Sequence, residues 1–120
     1  MAGYRELKVY EKSYKLVVAV YEATKQFPKE EMYAMTSQLR RAAMSVPLNI
    51  AEGYAKRESQ SEFKRFLMMA IGSSAEISVL LDLSVDLRYM SREKYDQLYA
   101  AYEDVGKMLS GLVNSLKSNI

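Results

Sequence analysis

Residues Ser59 to Leu87 read SQSEFKRFLMMAIGSSAEISVLLDLSVDL, and the spacing within them decides the fold. Ser59-Gln60-Ser61-Glu62 is a capping box set directly before an apolar run, the strongest helix-start signal in the chain. Phe63, Leu67, Ala70, Ser74, Ile77, Leu81 and Ser84 then recur at steps of four and three, with Phe66, Ser73, Leu80 and Leu87 in a second row beside them. A helix with two inward rows packs on two sides. The small residues Gly72, Ser73, Ser74 and Ala75 at its middle allow another backbone to approach closely, although glycine there costs about 1 kcal/mol against alanine.

Toward the C-terminus, Arg88-Tyr89-Met90-Ser91 breaks this helix, and Ser91 with Glu93 starts a fourth. Tyr95, Leu98, Tyr102, Val105, Leu109, Leu112 and Leu116 carry its apolar face. Toward the N-terminus, Phe27-Pro28 separates two further helices, since proline disfavours the α region at the residue before it and suits a first turn. The first runs from about Glu6 to Lys25, with Leu7, Tyr10, Tyr14, Val17 and Tyr21 on one row and Val9, Leu16 and Val20 on the next. The second has Glu30 and Glu31 in its first turn and points Met32, Met35, Leu39, Ala43, Val46 and Ile50 inward. Pro47, with no N–H for the carbonyl of Ala43, predicts a kink in it. The expected architecture is all-α: an up-down-up-down antiparallel four-helix bundle, one domain over residues 1–120.

At 120 residues, 49% hydrophobic and 27% charged, the chain can build one core without disulfides or a structural metal. It has neither cysteine nor histidine. Thiolate and imidazole metal ligands, Ser-His-Asp and Cys-His nucleophile systems, and the Glu-x-x-His pairs of di-iron bundles are therefore excluded. General acid or base work by Glu52 or Glu76 would need a pocket and a shifted pKa. No catalytic residue, metal ligand or cofactor is expected, and the chain reads as a non-enzyme. The longest uncharged stretches, 42–51 and 66–75, are ten residues each, short of the roughly 18 of a membrane span. The N-terminal MAGYRELKVYEK lacks the apolar core of a signal peptide, so a soluble cytoplasmic protein with no membrane partner is the expectation.

The segment SQLRRAAMSVPLNIAEGYAKR, Ser37 to Arg57, holds the polar residues of most interest. Arg41, Ser45 and Glu52 lie near one another in helical projection, as a solvated stripe or as part of an ion-pair network. With helices two and three antiparallel about a turn near residue 58, positions that sum to about 116 lie level. That sets Arg40 beside Glu76 and Glu52 beside Lys64. Glu76 sits within an apolar run and needs a charged partner if buried. A structural network of Arg40, Arg41, Asn49, Glu52 and Glu76 is expected, with Arg40 or Arg41 paired to Glu76.

Net charge is only +2, yet residues 36–66 hold six basic residues against three acidic ones, whereas residues 67–120 hold five against seven. Arg40, Arg41, Lys56, Arg57, Lys64 and Arg65 are the candidate nucleic-acid contacts, the last four clustered at one end of the bundle. An ordinary charged turn is the simpler alternative. Ten tyrosines and eight methionines widen the apolar rows beyond what a lone bundle needs, which points to an oligomer or partner interface. Base stacking on the tyrosines is the weaker alternative.

Leu7-Lys8-Val9, Phe27-Pro28, the segment from Ser37 to Arg57, Glu62-Phe63-x-x-Phe66-Leu67 and AIGSSAEI at 70–77 together resemble the 23S rRNA intervening-sequence family, also called the S23 family. Its most specific pattern, Arg-Arg-Ala-x-x-Ser-x-Pro-x-Asn-Ile-Ala-Glu-Gly, begins here at Arg40. The resemblance implies a four-helix bundle assembled as a homopentameric barrel, and a link to RNA, since such proteins are encoded within intervening sequences of bacterial large-subunit rRNA genes. The accessory variability proteins of diversity-generating retroelements are similar in fold, and that likeness implies a basic pentamer binding nucleic acid and a reverse transcriptase. Within the family pattern, Arg40, Arg41, Asn49 and Glu52 stand as packing and network positions. The implied role is a non-enzymatic oligomeric scaffold that binds RNA or DNA, structured RNA first; a protein–protein adaptor, such as an accessory subunit of a reverse transcriptase, is the alternative.

Overall fold

Four long helices form between the proline and serine signals. The computed structural model describes residues 3–117, and among these there is no strand. A 3-10 turn, Tyr4–Glu6, leads into α1, Lys8–Thr24; α2 spans Ser37–Ala55, α3 Gln60–Asp86 and α4 Arg92–Lys117. α1 packs on α2, α2 on α3, α3 on α4 and α4 back on α1. Short turns after α2 and α3, and the longer link 25–36 after α1, reverse the chain between consecutive helices, and the closed ring of contacts is that of a four-helix bundle. The molecule measures 47 × 22 × 20 Å, its length set by the 27-residue α3.

The double row of α3 is the centre of the core. All seven residues of its four-three row are buried, as are Phe66 and Leu80. Leu87, the last of the second row, is exposed. The Ser59 hydroxyl accepts the Glu62 N–H at 3.2 Å, but Glu62 turns its carboxylate to Arg65, so only the serine half of the capping box forms. The Ser59 N–H is already bonded to the carbonyl of Lys56, which leaves it no need of Glu62. At the other end, Arg88 has φ 66°, with its N–H on Val85 and the Tyr89 N–H on Ser84, a Schellman motif. By length and composition α3 is apolar enough to cross a membrane, its best window averaging a hydropathy of 1.6; 39% of that window is buried inside the bundle.

Two expected inward faces differ in the structure. On α1 the core line is Val9, Ser13, Val20 and Thr24, while Leu7, Tyr10 and Val17 lie half-buried and Tyr14 is exposed. Ser13 and Thr24 enter the core because their hydroxyls donate to the carbonyls of Tyr10 and Val20 within the helix. The segment after Pro28 is not yet α-helical: Lys29–Glu31 is a 3-10 turn and Met32–Thr36 a π turn. The Glu31 carboxylate accepts the Met35 N–H and the Tyr89 hydroxyl, tying this entry to the end of α3. The wider π turn rotates Met32 out to the surface, whereas Leu39, Ala43, Val46 and Ile50 are fully buried as expected. The chain stays α-helical through Pro47.

Gly53 sets how closely α2 and α3 approach near their turn. A Cβ at this position would lie 2.8 Å from Phe66 Cβ and 3.3 Å from the carbonyl oxygen of Phe63. Gly72, by contrast, has open space beside it. Gly53→Ala should therefore lower stability by about 1–3 kcal/mol through overpacking, despite alanine's better helix propensity. Arg88→Gly should raise it by about 0.5–1 kcal/mol, since a left-handed conformation costs a side-chain-bearing residue about 1–2 kcal/mol and glycine loses part of that gain as unfolded-state entropy. Urea titration of the two variants measures both.

Candidate nucleic-acid interface

The turn between α2 and α3 gathers cations onto aromatic rings. Lys56 Nζ and Arg65 Cζ lie 4.8 and 4.5 Å from the centroid of the same Phe66 ring. Arg57 Cζ lies 4.2 Å from the ring of Tyr54, which meets Phe63 edge-on at 6.1 Å. These contacts are each worth about 0.5–1 kcal/mol at exposed sites and hold the cations in place. Arg57 also donates to the carbonyl of Tyr54 at 2.9 Å, in the last turn of α2, where a cation suits the helix dipole.

Two of the four charges are locally matched. Arg65 grips Glu62 through Nε and Nη2, both at 3.1 Å, and its hydrogen bonds hold the Glu62 carboxyl below the usual carboxylate range. Lys56 Nζ lies 3.8 Å from Glu52. Among the described residues, Arg57 and Lys64 form no ion pair.

The antiparallel topology adds cations that the turn alone does not reveal. The 3-10 turn Tyr4–Glu6 packs against α2, and with the start of α1 it brings Arg5, Lys8, Lys12 and Lys15 to the same half of the bundle. Lys12 Nζ, 3.8 Å from Asp104, fixes the level of α4 there. That half, residues 3–15, 52–65 and 104–116, carries nine basic residues against six acidic ones, a net +3; the rest of the described side chains carry seven against nine. Arg5 and Lys8 join the cluster only because the helix order sets the start of α1 beside the end of α2.

Arg40 and Arg41 do not join this cluster. They lie near the start of α2, some 15 residues or about 22 Å along the helix from Lys56. The expected pairing of either with Glu76 does not form: among the described residues Glu76 makes no ion pair, is exposed, and accepts from Gln38 at 3.4 Å. Arg40 turns to α1 instead, donating from Nε to Thr24 Oγ1 at 2.8 Å with its guanidinium 4.5 Å from the Tyr21 ring. Arg41 is exposed and shares an open cleft with Tyr33 and Glu76. Asn49 donates to the Ser45 carbonyl at 2.8 Å, and the Ser45 and Ser73 hydroxyls bond across α2 and α3. Glu52 pairs with Lys56 and not with Lys64. The five expected network residues thus make separate local contacts. Heights along the bundle are as expected, since Gln38 meets Glu76 and Ser45 meets Ser73. Azimuth decides the rest: Arg40 lies about 200° around α2 from Gln38, so it is level with Glu76 but faces another helix.

No curated protein matches the sequence. Among solved structures, a protein of unknown function from the S23 ribosomal protein family of Bacteroides thetaiotaomicron is similar, with a TM-score of 0.80 and 24% sequence identity over 88% of this chain and 95% of that one. That likeness extends the four-helix architecture to a crystal structure. The family model of the 23S rRNA-intervening sequence protein matches residues 5–111, from the 3-10 turn through most of α4, and the chain accordingly belongs to that family.

Proposed function

We propose that this chain is a non-enzymatic, self-associating scaffold that binds nucleic acid, structured RNA first, through its positive half. The observation that carries the reading is the gathering of nine cations against six carboxylates in that half, with Arg57 and Lys64 outside any ion pair among the described residues and Arg57 stacked on the Tyr54 ring. Phosphates attract such a surface whatever their sequence, and each neutralised phosphate makes binding more dependent on salt. The family name, which refers to an intervening sequence of 23S rRNA, agrees with RNA as the partner.

The self-association part rests on the outward stripe of α3. Met68, Val79 and Leu83 are 50%, 58% and 45% exposed, and Gly72 and Ala75 between them are small. α4 contributes no exposed large apolar side chain among the described residues. A second copy of the chain laid on the α3 stripe removes that surface from water, and repetition multiplies the positive field. The pentamer implied by the resemblance is one closed form of such an assembly.

Anisotropy titrations of a labelled RNA hairpin across salt concentrations test the first part. Arg57→Ala with Lys64→Ala should lower the slope of log K against log salt by about 1.5, at roughly 0.7–0.9 for each phosphate no longer neutralised. Lys56→Ala with Arg65→Ala should lower it less, because Glu52 and Glu62 already match those charges. Absence of wild-type binding at low salt overturns the reading and leaves the adaptor role, which co-purification of a protein such as a reverse transcriptase would identify. For the second part, Val79→Glu should reduce the mass found by sedimentation to that of one chain without loss of helicity; an unchanged mass removes the α3 stripe as the contact.

A further inference from the structure

Between α1 and α2 runs an open groove of about 350 Å³ that neither the charge cluster nor the α3 stripe uses. Tyr4, Tyr10, Tyr14, Val18, Met44 and Leu48 line it, and among the described lining residues the tyrosine hydroxyls are the only hydrogen-bonding side-chain groups apart from the methionine sulfur. The three tyrosine rings form a continuous wall, with Tyr4 and Tyr10 at 4.8 Å and Tyr10 and Tyr14 at 5.9 Å between centroids. Tyr14 and Leu48 at its mouth are 57% and 65% exposed. The wall begins at the positive end: Arg5 Cζ lies 5.2 Å from the Tyr4 ring. On the other side α2 leaves the groove at Ala51 and reaches Lys56 and Arg57 within two turns.

We propose that this groove takes an unpaired nucleobase, with the phosphates on either side of it held by Arg5, Lys8 and Arg57. The inference rests on the nucleic-acid reading above and names the part of the ligand that this site recognises. A nucleotide has a flat, weakly polar face and an anionic backbone, and the groove offers matching halves: aromatic and aliphatic walls for the base, and a flank with excess positive charge for the phosphates. Single-stranded loops and ends present such bases, whereas a paired stem keeps them stacked and out of reach. The site therefore distinguishes unpaired from paired RNA, which the cations alone do not.

Tyr14→Ala and Leu48→Ala test it, both being surface changes that leave the core intact. Affinity for a short single-stranded RNA should fall roughly 5- to 100-fold in Tyr14→Ala, the loss of about one stacked base, with the salt slope unchanged. Affinity for a blunt RNA duplex should stay the same, and 2-aminopurine in the single strand should be quenched on binding the wild type and not on binding Tyr14→Ala. Leu48→Ala should weaken single-strand binding in the same sense. If the wild type binds single strands and neither variant weakens them, the groove is not a base site and the charge-based reading stands. If the variants instead change the sedimenting mass with RNA affinity unaltered, the groove is a contact between copies and the proposal fails. A wild type that binds no RNA at low salt removes both readings together.

Discussion

The close approach of α2 to α3 at Gly53 is the constraint on which the remaining geometry depends. With no side chain there, the backbone of α2 lies against Phe66 and Phe63, where a methyl group would already be within 3 Å. This approach closes the turn tightly and fixes the register in which Ser45 meets Ser73 and Gln38 meets Glu76. It also brings the last turn of α2 beside the first of α3. Lys56 and Arg65, nine residues apart in sequence, share one Phe66 ring as a result. The glycine in the sequence Ala-Glu-Gly is a packing residue, and the cation cluster follows from where the two helices are forced to meet.

Charge at this end is more finely divided than a residue count suggests. Arg65 is held by Glu62 and Lys56 stands near Glu52, so half of the cluster is locally neutral. Arg57, stacked on Tyr54 and bonded to a helix-terminal carbonyl, keeps its charge outward. Surface ion pairs of this kind contribute about 0–1 kcal/mol to stability, so their larger effect is on which charges a polyanion meets unscreened. The aromatic rings beneath the cations reduce their freedom to wander. A phosphate reaching this surface meets partly ordered donors.

At the opposite end, tyrosine hydroxyls take over as the ties. Tyr95 donates to Asp82 at 2.6 Å, which pushes the phenol up to about 12, and Tyr89 donates to Glu31, which raises its pKa as well. These bonds link α4 to α3 and the entry of α2 to the α3 terminus. Tyr102 lies wholly inside the core, where desolvation disfavours its ionised form. Several of the ten tyrosines are therefore explained by packing and cross-helix bonds. The row of Tyr4, Tyr10 and Tyr14 is different, since it borders open space.

The sequence alone determined the helices and their order, because capping serines, Phe27-Pro28 and apolar periodicity act through interactions within a few residues along the chain. It marked the buried row of α3 residue for residue and placed Lys56, Arg57, Lys64 and Arg65 at one end. It did not separate the core face of α1 from its tyrosine flank, because Ser13 and Thr24 read as polar until their hydroxyls are seen to bond within the helix. Nor did it foresee the π turn that exposes Met32. The partner of Arg40 on α2 was decided only by the tertiary structure. Periodicity and level counting give a residue's height along the bundle, while the direction its side chain takes depends on how each helix is rotated against two neighbours at once.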